Sequence, residues 1–409
     1  MRTAATNHDV LSDKIRFRRI RLCMFLSGLS VFAQLYLFQP LLADLCTYYR
    51  VSAVTSSLAV SSSTIGMAAG LFVLAFKADS VSRARLMGFS LLASSVLTLL
   101  SVWAVNFPLL LLANFLKGVL LAGVSAVALA YLTEEVDASV IGLAISLYLS
   151  GNTLGGMAGR VSGTLLAGWA DWHAAALAIG FVSFLLGLVF MRMLPPSRHF
   201  RPVSVSVRVK LRQMHCFLKN PSFVGVYLVA ALAMGVFVSV YNYLSFLLES
   251  PVFGLPHYVV AGVFLMYMAG VAGSVVMGRL SDKYSPHALL LLSLALMVVG
   301  LMLMLVMNLV CIVLGLGVLT FAFFSTHTMA SRIVSIQAQE ARSSVTSLYW
   351  LFYYAGSSLL GSATGVLLTD FGWEVFVLGV TMLVAMAFVV ASVGLSVRRL
   401  NLVKQIINS

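Results

Sequence analysis

The stretch Ser146–Arg160, SLYLSGNTLGGMAGR, lies inside a long apolar segment and still carries four glycines and a full positive charge. Glycines at 151, 155 and 159 recur every fourth residue, so on a helix they form a stripe without side chains. Such a stripe lets a neighbouring backbone come close, which is a main way that helices associate in lipid. Arg160 is costly inside a membrane unless it faces water or a partner, so it indicates a functional path. The alternative is a packing helix whose arginine extends to the surface.

Composition predicts the class of protein. Of the 409 residues, 61% are hydrophobic and 10% are charged, and the mean hydropathy is +1.01. Water-soluble domains are far less apolar. Apolar runs of about 20 residues, long enough to cross a bilayer, recur along the whole chain. The first run, 22–45, is too long for a signal-peptide core and more runs follow it, so we expect it to remain as a helix.

The sequence therefore predicts an all-α membrane protein with twelve transmembrane helices. The predicted spans are 18–45, 53–77, 84–104, 108–132, 138–166, 173–194, 221–249, 257–280, 285–307, 309–333, 341–368 and 373–396. A basic stretch, 195–220, is expected to be a cytoplasmic linker between an N-terminal six-helix bundle, 18–194, and a C-terminal six-helix bundle, 221–396. We expect residues 1–17 to be a cytoplasmic lead and residues 397–409 to be a cytoplasmic tail.

The two halves repeat each other. A shift of 201 residues places Ser146–Tyr148 on Ser347–Tyr349. The same or a nearly equal shift also aligns Gly155 with Gly356, Trp172 with Trp373, Gly70 with Gly273 and Asp79 with Asp282. Chance matching among apolar helices is the alternative, but the joint alignment of an aspartate, a tryptophan and glycines argues against it. A repeat of six spans keeps its orientation, so we expect a pseudo-two-fold axis along the membrane normal and a site between the halves at mid-depth.

The net charge of +13 has an asymmetric distribution. All lysines and arginines except Arg50, Lys117 and Arg160 fall on one side of the predicted spans, together with both termini. This positive-inside pattern indicates that both termini are cytoplasmic, and it does not indicate a nucleic-acid partner. Four tryptophans are expected at the opposite interface: Trp103, Trp169, Trp172 and Trp373.

The four cysteines lack metal-ligand spacing, and we predict no metal and no cofactor. Cys46 and Cys311 both fall near the periplasmic face. A disulfide between them and two unpaired thiols are the alternatives.

Several segments carry a resemblance to a known family: Tyr36–Leu41 (YLFQPL), Tyr131–Glu135 (YLTEE), Tyr148–Arg160, Leu194–Pro202 (LPPSRHFRP), Asn242–Tyr243 and Ser347–Ser358 (SLYWLFYYAGSS). On these residues the chain resembles the major facilitator superfamily over nearly its full length. Within it, the chain is most similar to the YnfM-type inner-membrane permeases, which are grouped with arabinose-efflux and drug-efflux proteins. The resemblance implies a monomeric secondary transporter in a bacterial inner membrane, with two six-helix bundles that work by alternating access.

The superfamily's gate motif, G-x-L-x-D-x-x-G-R, corresponds to Ala75–Arg83 (AFKADSVSR), which keeps the acidic and the final basic residue but neither glycine. A second copy, Gly278–Ser285, keeps its acidic residue. An arginine can clamp an acidic partner, and the resemblance implies a glutamate at the cytoplasmic end of the fourth span. The implied gating residues are Asp79, Arg83, Asp282 and Glu134 or Glu135. Solvated loop charges without coupling are the alternative.

The fifth span resembles the superfamily's antiporter motif, G-x-x-x-G-P-x-x-G, with Gly156 in place of the proline. In the family this motif accompanies export rather than uptake. Its residues are further gating candidates: Gly151, Gly155, Gly156 and Gly159.

The fourth span departs from the family pattern. The family often has R-x-x-Q-G where this chain has Asn114–Gly118 (NFLKG), so the positive charge moves one turn along the same face. A buried lysine loses its proton more readily than an arginine. Lys117 is therefore expected either to titrate during transport or to bind an anionic solute.

No acidic residue falls securely at mid-membrane. If protons drive transport, the candidates are His327, Lys117, Asp44 and Glu249. A packing role is the alternative for His327. The predicted solute-cavity residues combine cations, amides and polar aromatic rings: Tyr36, Gln39, Asn114, Lys117, Tyr148, Asn152, Arg160, Tyr241, Asn242, His327, Tyr349 and Tyr353.

The predicted function is export of a small organic solute in exchange for protons. The alternative is uptake or exchange of an anionic metabolite, because two buried cations without a buried carboxylate suit an anion. A membrane receptor or enzyme ranks below both, since the chain has no HExxH, GxSxG or phosphate-loop pattern. The expected partners are the solute, protons and the lipid bilayer, and no nucleic acid.

Overall fold

In the computed structural model, the described residues are 7–137, 140–198, 200, 206–337 and 342–407, and the side chains of 7–14, 79, 342, 343 and 394–407 lie outside the described part. Every regular element in these ranges is helical. The helices are α1 (Asn7–Leu35), α2 (Leu42–Tyr49), α3 (Ala53–Lys77), α4 (Arg83–Leu100), α5 (Phe107–Ser125), α6 (Ala128–Glu135), α7 (Ile141–Trp169), α8 (Trp172–Met193), α9 (Val207–Lys219), α10 (Pro221–Glu249), α11 (His257–Val263), α12 (Tyr267–Leu280), α13 (Pro286–Leu303), α14 (Leu309–Gln337), α15 (Arg342–Ala363) and α16 (Gly365–Ile407). Helix α16 is kinked at Gly372, whose φ of 83° is not helical.

Nine helical stretches in the described part are long and apolar enough to cross a membrane. Helices α1, α7 and α15 complete the twelve predicted spans, and their polar residues lower their hydropathy. Helices α5 and α6 together form the fourth span, and α11 and α12 form the eighth. We call the end of the bundle where α8 ends and α9 lies the linker side, and the opposite end, where α7 meets α8, the far side.

The two halves repeat the same helix pairs. Helix α1 packs on α7 as α10 packs on α15, α3 packs on α5 as α12 packs on α14, and α4 packs on α8 as α13 packs on α16. The twelve spans therefore form two six-helix bundles related by a pseudo-two-fold axis, as the sequence repeat predicts.

The glycine stripe of α7 lies directly on the backbone of α1. A side chain at Gly151 would collide with the carbonyl of Phe25, and one at Gly155 with the carbonyl of Leu29. In the second half, Gly356 of α15 meets the backbone of α10 in the same way. The predicted close helix approach is therefore present in both halves.

The first predicted span, 18–45, is wrong as a single helix. Helix α1 ends at Leu35, a turn follows, and α2 begins at Leu42. Pro40 lies in this turn; proline has no N–H to donate to a helix and disfavours helical geometry in the residue before it. The break places Tyr36 and Gln39 in an irregular segment beside the second half. The linker also contains a helix, α9, that the sequence did not predict.

The four tryptophans lie on the far side, as predicted, but only two of them are exposed. Trp103 and Trp169 are exposed on the far side, but Trp172 and Trp373 are buried. Trp373 donates its indole N–H to the carbonyl of Met304 at 2.9 Å, so it fixes a helix end rather than anchoring the surface. All four cysteines are free, so Cys46 and Cys311 form no disulfide.

Side chains cap several helices on the far side. Asp171 accepts the backbone N–H of Ala174 at 2.9 Å and starts α8. This hydrogen bond lowers the pKa of the exposed Asp171 carboxyl below its usual value. Asn106 caps α5 in the same way, through the backbone N–H of Leu109.

Candidate functional site

Two amide side chains join the halves, one in the turn after α1 and one in α10. Gln39, in the turn after α1, donates its Nε2 to Asn242 Oδ1 of α10 at 2.8 Å. Asn242 donates its Nδ2 to the carbonyl of Gly361 on α15 at 2.9 Å. Both amides are fully buried. Each amide therefore has a hydrogen-bond partner in the opposite half, and it would lose that partner if the halves separated.

Arg160 extends this chain of hydrogen bonds into α7. Its Nε donates to Gln39 Oε1 at 2.7 Å, and its Nη1 donates to the carbonyl of Gly156 at 2.6 Å. The guanidinium carbon lies 4.3 Å from the ring centre of Tyr36 and 4.5 Å from that of Tyr267. Only 1% of Arg160 is exposed, so the arginine does not extend to the surface.

Tyr267 of α12 is a site residue that the sequence reasoning missed. It brings the second half against Arg160, because two aromatic faces next to a guanidinium give a cation–π contact. Tyr267 lies inside the apolar eighth span, where the sequence analysis placed no cavity residue.

Lys117 is buried in the first half, apart from this chain. Its Nζ donates to Asn114 Oδ1 at 2.7 Å and lies 4.9 Å from the ring centre of Phe38. Only 1% of Lys117 is exposed. Among the described residues, no carboxylate pairs with Lys117 or with Arg160. The site therefore carries two buried positive charges without a described counter-ion.

A row of hydroxyl groups also joins the halves, between α3 and α15; we call it the hydroxyl row. Thr64 and Ser358 share a hydrogen bond of 2.7 Å, and so do Ser61 and Ser362. These residues occupy the parts of α3 and α15 nearest the far side, because α3 begins there and α15 ends there. The sequence reasoning missed this row. The signal was the dense Ser and Thr content of residues 55–64 in an apolar helix.

The remaining predicted cavity residues form separate groups. Tyr349 lies 2.8 Å from His327 Nδ1, and the ring centres of His327 and Tyr353 are 4.9 Å apart. Tyr241 bonds to Thr320 of α14 at 2.8 Å. Asn152 packs against Gly28 of α1, beside the buried Tyr148. These residues form three groups around the central chain, and the Tyr241 group adjoins it, because the ring centres of Tyr241 and Tyr267 are 5.1 Å apart.

The predicted gating charges lie on the linker side. Arg83 donates to both carboxylate oxygens of Glu134, at distances from 2.7 to 2.9 Å. Glu135 instead bonds to Arg16 at 2.5 Å. In the second half, Asp282 pairs with Arg332 at 3.0 Å. The side chain of Asp79, the first acidic residue of the gate motif, lies outside the described residues.

The proton-coupling candidates Asp44 and Glu249 lie on the far side, away from His327 and Lys117. Glu249 ends α10, and its Oε1 is 3.3 Å from Nδ1 of His257, the first residue of α11. Asp44 of α2 is half-buried nearby and interacts electrostatically with His257. His257 is another residue that the sequence reasoning missed.

Comparisons with known proteins agree with this architecture. The chain is 32% identical to an uncharacterised MFS-type transporter, YybF, of Bacillus subtilis (strain 168), over 92% of each chain. It is also 32% identical to the inner membrane transport protein YnfM of Escherichia coli (strain K12), over 92% of this chain and 89% of that protein. A chloramphenicol resistance protein of Streptomyces lividans is more distant, at 28% identity over 65% of this chain and 67% of that protein.

Solved structures share the fold. A bacterial homologue of the human lysosomal transporter Spinster, in an inward-facing and unoccupied conformation, superposes with a TM-score of 0.74 over 93% of this chain and 95% of that one, at 16% identity. The sequence model of the Major Facilitator Superfamily matches residues 22–361. The chain therefore belongs to the major facilitator superfamily, and it is a multi-pass membrane transporter of the secondary type rather than an enzyme.

Proposed function

We propose that this transporter exports a small organic solute from the cytoplasm across a bacterial inner membrane, in exchange for protons. The bundles 18–194 and 221–396 rock about the solute, and both termini face the cytoplasm. The basic residues of the linker side support this orientation. The glycine pattern of α7 and the likeness to a chloramphenicol resistance protein support export. The protein works as a monomer.

The observation that carries the proposal is the hydrogen bond between Gln39 and Asn242. It joins polar side chains of the two halves, and transporters built from two such halves bind their solute between them. Buried polar groups in a membrane must find partners, so separating the halves frees these amides for the solute or for water. Arg160, bonded to Gln39, is released by the same movement.

The direct hydrogen bonds between the bundles support the idea that the far side is closed here. In the described ranges, they join Gln39 to α10. They also join hydroxyl groups of α3 to α15 and α10. These bonds lie in the part of the helices nearest the far side. The linker-side pair Arg83–Glu134 lies within the first half. Its role as a gate is part of the proposal.

The test is transport by purified protein in liposomes, screened over solute classes with and without a pH gradient. We expect one class to move against its gradient when protons move the other way. Gln39→Leu should then abolish transport. Gln34→Leu is the matched control, because Gln34 is equally buried but bonds only within the first half, to Ser30 and Thr98. Equal losses in the two variants, or no dependence on the pH gradient, would contradict the proposal.

A second candidate function is uptake or exchange of an anionic metabolite. It is favoured by the two buried cations, Lys117 and Arg160, which have no carboxylate partner among the described residues. A cationic solute would be repelled by the same charges. Binding of acidic and cationic solutes separates the candidates, since Lys117→Gln should weaken binding of the acidic solutes only.

A further inference from the structure

Three titratable side chains from both halves meet on the far side; we call them the far-side cluster: Asp44, Glu249 and His257. Asp44 belongs to α2 in the first half, and the other two end α10 and begin α11 in the second half. The imidazole Nδ1 of His257 lies 3.3 Å from Glu249 Oε1. Asp44 interacts electrostatically with both of them. Helix α11 also packs on α7 of the first half, where His257 meets Gly168.

The far-side cluster contains polar atoms that lack hydrogen bonds. Asp44 Oδ2, Glu249 Oε1 and His257 Nδ1 are all buried, and none completes a hydrogen bond with a described residue. The side chains of Glu249 and His257 are only 19% and 35% exposed. Unsatisfied buried polar atoms are costly, and two neighbouring carboxylates repel each other when both are charged. A proton added here supplies the missing donor and removes one negative charge.

Other charged groups near the cluster strengthen this effect. Asp171, at the turn between α7 and α8, acts on Asp44 with a further negative charge. Asp171 is itself paired with His173 at 3.1 Å and is exposed. The groups that face the two buried carboxylates are therefore one imidazole and one additional carboxylate.

We propose that the far-side cluster binds protons while the far side is closed and releases them when the halves separate there. The inference rests on the proposed alternating access, but not on the direction of transport or the identity of the solute. Separation moves Asp44 away from Glu249 and His257 and returns the carboxylates to water, where they are ionised at neutral pH. The closed state then binds more protons than the open state. Acid therefore stabilises closure, and raising the pH opens the far side.

The test measures closure directly and without solute. Spin labels at Val105 and Val252, which are 85% and 63% exposed on the far side, report the separation of the halves. The labelled protein, with its native cysteines replaced, is placed in nanodiscs, and the distance between the labels is measured by double electron–electron resonance from about pH 5 to about pH 8. We expect a longer distance at the higher pH. In Asp44→Asn/Glu249→Gln the distance should stay short throughout, because the neutral amides imitate the protonated carboxylates.

Two controls make the result specific. Asp370→Asn removes an exposed carboxylate of the far side outside the cluster, and should leave the pH response unchanged. A label pair on the linker side, at the exposed residues Val140 and Tyr284, should move closer as the far side opens.

The inference is overturned if the wild-type distance does not change with pH, or if the double variant follows pH as the wild type does. Lengthening of both label pairs would also overturn it, because it indicates loosening rather than alternation. The liposome assay tests proton-coupled export, whereas the label distances test proton binding by the far-side cluster. Either proposal can therefore fail without the other.

Discussion

Gln39 and Asn242 occupy equivalent positions of the two halves, 203 residues apart, and they hydrogen-bond to each other at 2.8 Å. The bond therefore crosses the pseudo-two-fold axis. Their other partners are also equivalent, because Gln39 bonds to Arg160 of the fifth span and Asn242 bonds to Gly361 of the eleventh. In the second half, the Asn242 amide donates to the backbone carbonyl of Gly361. In the first half, the Gln39 amide accepts a hydrogen bond from the side chain of Arg160 instead.

The halves also differ at a second pair of positions. The spacing of 203 residues makes Phe38 equivalent to Tyr241 and Lys117 equivalent to Thr320. The second-half pair forms a neutral hydrogen bond of 2.8 Å between hydroxyl groups. The first-half pair places an ammonium group 4.9 Å from an aromatic ring centre. Lys117 and Arg160 therefore both belong to the first half, and the equivalent positions of the second half carry no charge.

Replacing Lys117 with methionine should stabilise the protein and impair its function. Burying one ion without a carboxylate partner costs several kcal/mol, and methionine has a similar volume without the charge. We expect Lys117→Met to unfold at a higher temperature in detergent and to bind acidic solutes more weakly. Lys219→Met, at an exposed position, is the control and should change neither quantity. A less stable Lys117→Met would mean that the bond to Asn114 outweighs the cost of burial.

Arg160→Lys should not preserve function, although it keeps the charge. Lysine lacks the planar fork that bonds to Gln39 and Gly156 while lying against two tyrosine rings. We expect solute affinity to fall at least tenfold, or about 1.4 kcal/mol, in a titration with the solute found in the liposome screen. Arg192→Lys, on the exposed end of α8, should bind normally. Full affinity in Arg160→Lys would show that only the charge matters.

Gly155→Ala should destabilise the first half. The added methyl group collides with the carbonyl of Leu29, and such overpacking costs about 1–3 kcal/mol. Gly142→Ala lies on the same helix with no atom within 4 Å of the added carbon, and should gain up to about 1 kcal/mol from helix propensity. Thermal unfolding of the two variants under one set of conditions compares them. Equal unfolding temperatures would exclude a packing role for the glycine stripe.

Glu134→Gln should loosen the linker side. The carboxylate accepts two N–H groups of Arg83, whose side chain is 9% exposed, while its own is 27% exposed. The pair is worth about 1 kcal/mol, and salt screens it. The unfolding temperature should therefore fall at low salt and approach the wild-type value at high salt. Glu374→Gln, an exposed carboxylate on the far side, serves as the control. A loss that is independent of salt would contradict the ion-pair explanation.

The class of fold was predictable because hydropathy and the internal repeat act over whole spans. Helical spans follow from the requirement that backbone groups in lipid bond within helices, and the two equivalent halves follow from the internal repeat. Pro40 indicates the break after Leu35, but the apolar run continues through it, so hydropathy alone predicts one long helix. The burial of Trp172 and Trp373 was not predictable, because interface preference is statistical, whereas their rings fill gaps between helix ends.

The candidate site was predictable in its residue types but not in its pairings. Arg160, Gln39 and Asn242 are polar residues in apolar spans, so each was found separately. Their mutual bonds depend on contacts between residues far apart in the chain, which one sequence does not contain. Tyr267 was missed for the same reason, because its contact with Arg160 crosses to the opposite half. His257 is different, since it lies against Glu249 of its own half and only Asp44 belongs to the other half.

Helix α9 connects the two bundles by more than the chain itself. Lys210 of α9 donates to the carbonyl of Ala75 in the first half at 2.5 Å, and Ser344 of the second half donates to Gln213 of α9 at 3.0 Å. Both attachments lie within one turn of α9, so this turn is tied to the two bundles at once. If the bundles tilt against each other, one of the two hydrogen bonds must break or α9 must move with them.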